Sequence, residues 1–247
     1  MFPIRDHNPS DRTAYVTYML LAVNILVFLS YAAAFDDPNR LGEVFGNWAL
    51  IPSEISRGNQ LHTLITHMFL HGGFMHLAGN MLFLWIFGDN MEDEMGHLGF
   101  LVFYLAVGLA AGLAQYITEP YSDVPLVGAS GAIAGVMGGY LLLFPRAKVD
   151  ILFIFVIFFK IWPIPAWVML GLWFALQLSN GVAISAGEAG VAYWAHAGGF
   201  IVGLVLTLPV WLRLGGRDFW QVNHGAPPHP EAAYKLVRTS IPRVGRK

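Results

Sequence analysis

Six apolar runs, separated by short polar breaks, set the layout of the chain. Residues 1–12 form a short polar tail, and the first run covers 13–35, with a length that suits a membrane-spanning helix. Residues 36–61 are a mixed stretch with Trp48, Pro52 and scattered charges, a composition that favours the membrane interface. A histidine series follows, His62, His67, His71 and His76, the last inside a second run that reaches Glu92. After the acidic turn 89–94 the third run spans 97–117. The loop 118–125 carries Glu119, Pro120, Asp123 and Pro125, residues that end one helix and introduce the next. The fourth run opens at Gly128 and stops at Pro145-Arg146. The apolar segment 149–162, punctuated by Lys160, Pro163 and Pro165, is expected to be interfacial or re-entrant. A fifth run at 164–180, a loop at 180–190 and a sixth run at 191–212 complete the pattern. The remainder, 213–247, is a basic Gly and Pro tail expected to be disordered.

The fourth run differs from the rest. At ~1.5 Å per residue its roughly 17 residues reach ~25 Å, short of a ~30 Å hydrocarbon layer. Its start must therefore be buried. A helix N-terminus at that depth brings unpaired N–H groups and partial positive charge, tolerable only beside water or polar protein groups. Such a place can stabilise an oxyanion. Near its first turn this run carries one hydroxyl, Ser130.

Composition agrees with the pattern. With 56% hydrophobic and 12% charged residues, the 247-residue chain is too apolar for an ordinary soluble domain and suits one polytopic membrane domain at 13–212. The first run lacks a small-x-small cleavage site and reads as a retained signal anchor. With no cysteine, disulfides and thiolate metal sites are excluded. Of the 14 Lys and Arg residues, only Arg40 and Arg57 fall on the side opposite the termini, which predicts that both termini are cytoplasmic.

That parity permits a depth count. At ~1.5 Å per residue, Ser130 lies ~24 Å above Arg146, His196 ~25 Å above Arg213, His76 ~24 Å above Glu92 and Asn80 ~18 Å above Glu92. Polar groups from three distant runs thus share one layer, and intramembrane polar groups are functional candidates by default. A serine hydroxyl attacks only when a base takes its proton, and His196 is the one histidine on the later runs. No Asp or Glu shares the layer, so the expected pair is a dyad. His76 and Asn80 stand at i and i+4, suited to holding an oxyanion together with the Ser130 N–H. Small residues permit a close approach: Gly131, Gly135 and Gly139 recur on the serine run, and Ala195, Gly199 and Gly203 on the sixth.

His76-x-x-x-Asn80, Gly128-Ala129-Ser130-Gly131 and Ala195-His196-Ala197-Gly198-Gly199 with Gly203, in this order on these runs, resemble the rhomboid family of intramembrane serine proteases. The resemblance covers roughly 13–212. It implies an all-α membrane protein, a six-transmembrane-helix rhomboid-like bundle with a short, buried-start fourth helix. It further implies Ser130 as nucleophile, His196 as general base and acid, and Gly128, His76 and Asn80 around the oxyanion. His71 and Glu92 match family positions near the cavity floor and in a structural hydrogen-bond network. The implied substrates are single-pass transmembrane proteins cut within or beside the membrane helix, with the lipid bilayer as surroundings and no nucleic acid, cofactor or metal. Six spans with minimal tails imply a bacterial plasma-membrane enzyme. Two positions depart from the family. Ala134 stands where an aromatic often packs on the histidine, and Asn47-Trp48-Ala49 replaces a Trp-Arg pair.

Other readings remain beside this one. Gly-rich serine motifs in membrane helices often serve packing alone. His62 and His67 read as interfacial or structural, and His97, His224 and His229 as surface or tail residues. Trp167, Trp173 and Phe174 either line a lateral opening or face lipid. The alternatives for the whole chain are a catalytically silent rhomboid-like scaffold and a small transporter, the latter disfavoured because no repeat and no intramembrane carboxylate is found.

Overall fold

A computed structural model describes residues 2–155, 158–183, 192–228 and 230–232. It is mostly helical. In chain order the elements are β1 (Phe2–Asp6), α1 (Tyr15–Tyr31) with a 3₁₀ turn at Ala32–Asp36, α2 (Pro38–Trp48), α3 (Pro52–Ser56), and α4 (Thr63–Thr66) with a 3₁₀ turn at His67–Phe69. Next come α5 (Phe74–Met95), α6 (His97–Thr118), α7 (Ser130–Leu143), β2 (Lys148–Phe155), β3 (Phe158–Pro165), α8 (Ala166–Ala183), α9 (Tyr193–Arg213) and α10 (Arg217–Asn223).

All six apolar runs are helical among the described residues, though not all alike. Tyr15–Asp36, α6, α8 and α9 are long and apolar enough to cross a membrane. The second run is α5, which is apolar enough to cross a membrane only together with the preceding Thr63–Phe69, across a break with a 92° bend. Two glycines, Gly72 and Gly73, sit in that break, and His71 precedes them. The fourth run is the short helix α7, whose 14 residues cover only ~21 Å.

Helix α7 occupies the centre, with α5, α6 and α9 against it. Every residue from Gly131 to Leu143 except Leu141 is buried, as expected of a helix that is apolar on all faces. Its closest neighbour is α9, where two glycine rows let the backbones touch. A Cβ on Gly199 would collide with the carbonyl oxygen of Gly131, and one on Gly203 with that of Gly135. This approach fixes where the first turns of both helices, and hence Ser130 and His196, can stand.

The stretches outside the spans are more structured than the sequence suggested. The segment read as interfacial or re-entrant forms the β2–β3 hairpin, and β1 pairs antiparallel with β2 to give a three-stranded sheet in the order β1-β2-β3. The buried Asp150 of β2 ties the layers together, accepting from Arg5 Nε at 2.7 Å and pairing with His7 Nε2 at 2.9 Å. Residues 36–61, read as an interfacial loop, contain α2 and α3. Asp37 caps α2 by accepting from the Asn39 N–H at 3.0 Å, and Pro38 supplies the fixed first φ. Within the tail read as disordered, α10 packs back on the bundle, with Trp220 Nε1 donating to the Leu142 carbonyl at 3.0 Å. His229 and residues 233–247 lie outside the described residues, as does most of the loop read at 180–190.

The β1 contact at the far end of α7 has a pH signature. Tyr140 donates its hydroxyl to Asp6 at 2.7 Å, and burial, with a further push from the Asp89 charge, drives the Asp6 carboxyl up to about 7. A carboxyl whose pKa is raised on folding is bound to its proton more tightly in the native state. Its stabilisation is complete below ~4, the unfolded value, and is lost as pH climbs through about 7. Asp6→Asn keeps the acceptor for Tyr140 without the charge. It is expected to raise stability at pH 8 by about 2–4 kcal/mol and to flatten the pH dependence between 4 and 7, as read by thermal unfolding in detergent.

Candidate active site

The chain enters α7 through a pinned extended stretch. Leu126 forms an antiparallel bridge with Leu50, and the Gly128 N–H donates to the His67 carbonyl at 2.9 Å. Gly128 has φ +127°, a conformation that side-chained residues avoid. A Cβ there would sit 2.8 Å from His76 Nε2 and 3.5 Å from Ser130 Oγ. The missing side chain thus leaves a narrow slot between an imidazole and a hydroxyl.

Each wall of the slot follows from local structure. Ser130 is the first residue of α7, where backbone N–H groups have no intrahelical acceptor. His76 lies in the first turn of α5, and its Nδ1 accepts from the Gly72 N–H at 3.2 Å. The ring proton is therefore on Nε2, the nitrogen that faces the slot. Asn80, one turn on and buried, donates one amide hydrogen to the His76 carbonyl at 3.0 Å and carries a second.

His196 stands in the first turn of α9, with Nε2 2.7 Å from Ser130 Oγ. Its other nitrogen, Nδ1, is 2.8 Å from Oε1 of Gln177 on α8. An amide oxygen only accepts, so Nδ1 carries the proton and the Nε2 lone pair is directed at the hydroxyl. Ser130, His196, His76 and Asn80 line one cavity of about 560 Å³, shared with Gly72 and Trp173. Gly128 sits at its edge through the contacts above.

Sequence comparison identifies this architecture. The Rhomboid domain family matches residues 58–213, more than half of the chain. The chain belongs to the rhomboid family. It is 38% identical over 126 residues to Rhomboid protease GluP of Bacillus subtilis, covering 51% of this chain and 24% of that protein. To Rhomboid protein 1, mitochondrial, of Saccharomyces cerevisiae it is 32% identical over 150 residues, 58% of this chain and 40% of the relative. To Rhomboid protease GlpG of Salmonella choleraesuis it is 24% identical over 200 residues, 80% of this chain and 63% of the relative. The chain thus spans less than two thirds of the length of each of these relatives.

In this rhomboid the remaining predicted residues take distinct places. His71 is fully buried, its ring 5.2 Å from that of His76 in an edge contact. Glu92 is also buried and accepts from the N–H groups of Val16 and Thr17 at 2.9 and 2.7 Å and from the Thr17 hydroxyl at 2.8 Å. This holds the start of α1 to the end of α5. His97 pairs with the same carboxylate. His67 points away from the slot, its Nδ1 bonded to the Thr63 carbonyl at 2.8 Å. His62 is exposed, bonded to the Asn47 carbonyl at 2.9 Å and edge-on to Trp48. His224 lies just beyond α10, where its carbonyl accepts from Arg146. Among the described residues no group of three or more His, Asp or Glu is placed to hold a metal ion.

The seat of His196 comes from α8. With Ala134 offering no ring, Trp173 lies against the imidazole at 5.8 Å between centroids, while Phe174 stacks on Phe200 at 4.6 Å. Trp167 faces outward. Trp173 and Gln177 stand at i and i+4, so one face of α8 supplies both contacts to His196. The sequence reading passed over Gln177. Its signal was an amide in α8 preceded only by apolar residues from Ala166 to Leu176.

Proposed function

We propose that this rhomboid is an intramembrane serine endopeptidase that cleaves single-pass transmembrane proteins within or beside their membrane helix by a Ser130–His196 dyad. The observation that carries the reading is the 2.7 Å contact between Ser130 Oγ and His196 Nε2 inside the cavity. Ser130 Oγ attacks the substrate carbonyl carbon as its proton passes to Nε2. The oxyanion enters the slot beside Gly128, where His76 Nε2–H, the second Asn80 N–H and the Ser130 backbone N–H donate to it. Nε2–H then protonates the leaving amine, which departs and leaves an ester on Ser130. Water, deprotonated by His196, hydrolyses that ester and restores the hydroxyl.

The substrate must unwind locally, since a helical peptide bond is shielded by its own turn. The distribution of basic residues supports cytoplasmic termini and a site in the outer half of the membrane, and the rhomboid resemblance supports a bacterial plasma membrane as the location. The reading is tested by incubating detergent-purified protein with a single-span reporter, beside Ser130→Ala. Loss of cleavage in the variant supports it. Binding of the reporter without cleavage by either protein favours a scaffold instead.

The slot gives a further expectation. Gly128→Ala places a methyl group where the oxyanion would sit, and His76→Ala removes one donor. Each is expected to lower kcat by about 10²–10³-fold with a smaller change in KM, as measured by reporter kinetics.

A further inference from the structure

We propose that Gln177 is a positioning residue whose side-chain carbonyl holds His196 in the tautomer that can receive the Ser130 proton. This rests on the dyad reading above. A dyad histidine has two interchangeable tautomers, and only the one protonated on Nδ1 offers a lone pair to the serine. Something must favour that tautomer. Among the described residues no carboxylate approaches Nδ1; the atom 2.8 Å away is Oε1 of Gln177.

The placement is costly enough to need a reason. Helix α8 carries no charged residue, and its apolar window is only 17% buried inside the protein, against 28–39% for the other long spans. A primary amide on such a helix is expensive unless it is bonded. Gln177 meets that need through His196, and Trp173 on the same face lies against the ring. Two contacts from one helix face therefore set both the tilt and the proton position of the imidazole. Among the described residues, the other polar side chains lining its cavity are His76 and Asn80 from α5, Ser130 from α7, Gln115 from α6, and Glu119 and Ser122 from the loop before α7.

An amide orients without adding charge. Removing it is therefore expected to cost less than removing the aspartate of a serine protease triad, whose replacement by Asn lowers kcat by about 10⁴-fold through the wrong tautomer. Gln177→Leu is expected to slow acylation of Ser130 by about 10–100-fold. Gln177→Glu keeps the acceptor and adds a charge that favours the protonated ring. It is expected to retain activity, with the acidic limb of the pH–rate profile moved by about one unit to higher pH.

The test is the second-order rate of labelling by a fluorophosphonate probe between pH 5 and 9, on the full chain in detergent, with thermal unfolding measured in parallel. The proteins compared are wild type, Gln177→Leu, Gln177→Glu and Ser130→Ala. Slow labelling of the Leu form at wild-type unfolding temperature, with recovery and a displaced profile in the Glu form, supports the proposal. A Leu form labelled at the wild-type rate, or a Glu profile superimposable on wild type, overturns it. So does a Leu form slowed only in step with lost stability and not recovered by Glu. Undiminished labelling of Ser130→Ala, or none of the wild type, instead removes the dyad itself and this proposal with it.

Discussion

His196→Ala is expected to lower cleavage of a single-span reporter by about 10⁴-fold or more, Ser130→Ala by as much, and the double variant by no more than either single one. The hydroxyl and imidazole form a unit, linked by one 2.7 Å hydrogen bond. Without the ring the hydroxyl keeps its proton, and without the hydroxyl the ring has no proton to take. Losses in such a unit are strongly non-additive, unlike those of distant residues. The donors around Gly128 survive in all three variants. Residual turnover above the uncatalysed rate therefore measures what oxyanion stabilisation alone contributes. All three proteins are expected to unfold within a few degrees of the wild-type temperature, since the α7–α9 approach rests on the glycine rows and the variants remove a single hydrogen bond between the two helices.

Gly199→Leu is expected to do the reverse, damaging the fold first and activity as a consequence. The new side chain would meet the carbonyl group of Gly131, with its carbon 3.0 Å from the Cβ, and Ala111 Cβ at 3.3 Å. Backbone cannot yield as a side-chain tip does, so α7 and α9 must separate. Overpacking costs about 1–3 kcal/mol where side chains can adjust. Here ~4 kcal/mol or more is expected, a fall of roughly 10 °C in unfolding temperature for a chain of this size. Gly171→Leu on α8 is the control. Nothing lies within 4 Å of a Cβ at that position, and no measurable change is expected.

These contrasts explain what the sequence could disclose. The spans are written locally, since each is a run of apolar residues, and the short fourth run announced its buried start by length alone. Ser130 and His196 could be paired because a depth count needs only the rise of a helix and the position of its inner end. Gln177 was open to the same count. At 11 residues past Ala166 it lies ~17 Å along α8, yet an uncharged amide in a span carries no mark in the sequence that separates a histidine partner from a packing residue.

The sheet was hidden for a different reason. Lys148–Phe155 reads as an ambiguous apolar run, and one of its two partners, β1, lies far away at the start of the chain, with Asp150 tied to Arg5 across 145 residues. Pairing so far apart leaves no periodic trace in either segment. The bend ahead of α5 was likewise masked, because Gly72-Gly73 allows a turn without dictating its angle. The role of Trp173 depends on α8 lying beside α9, which brings its ring to 5.8 Å from that of His196.

In the proposed mechanism Ser130 Oγ is the atom that carries the substrate acyl group. Its most direct test is rapid acid quenching during turnover of a single-span reporter, followed by digestion and mass spectrometry of the enzyme. The prediction is a transient ester joining the amino-terminal reporter fragment to the Ser130 peptide, absent in Ser130→Ala. An acyl fragment on another residue, or turnover by the Ser130→Ala protein at the wild-type rate, would contradict it.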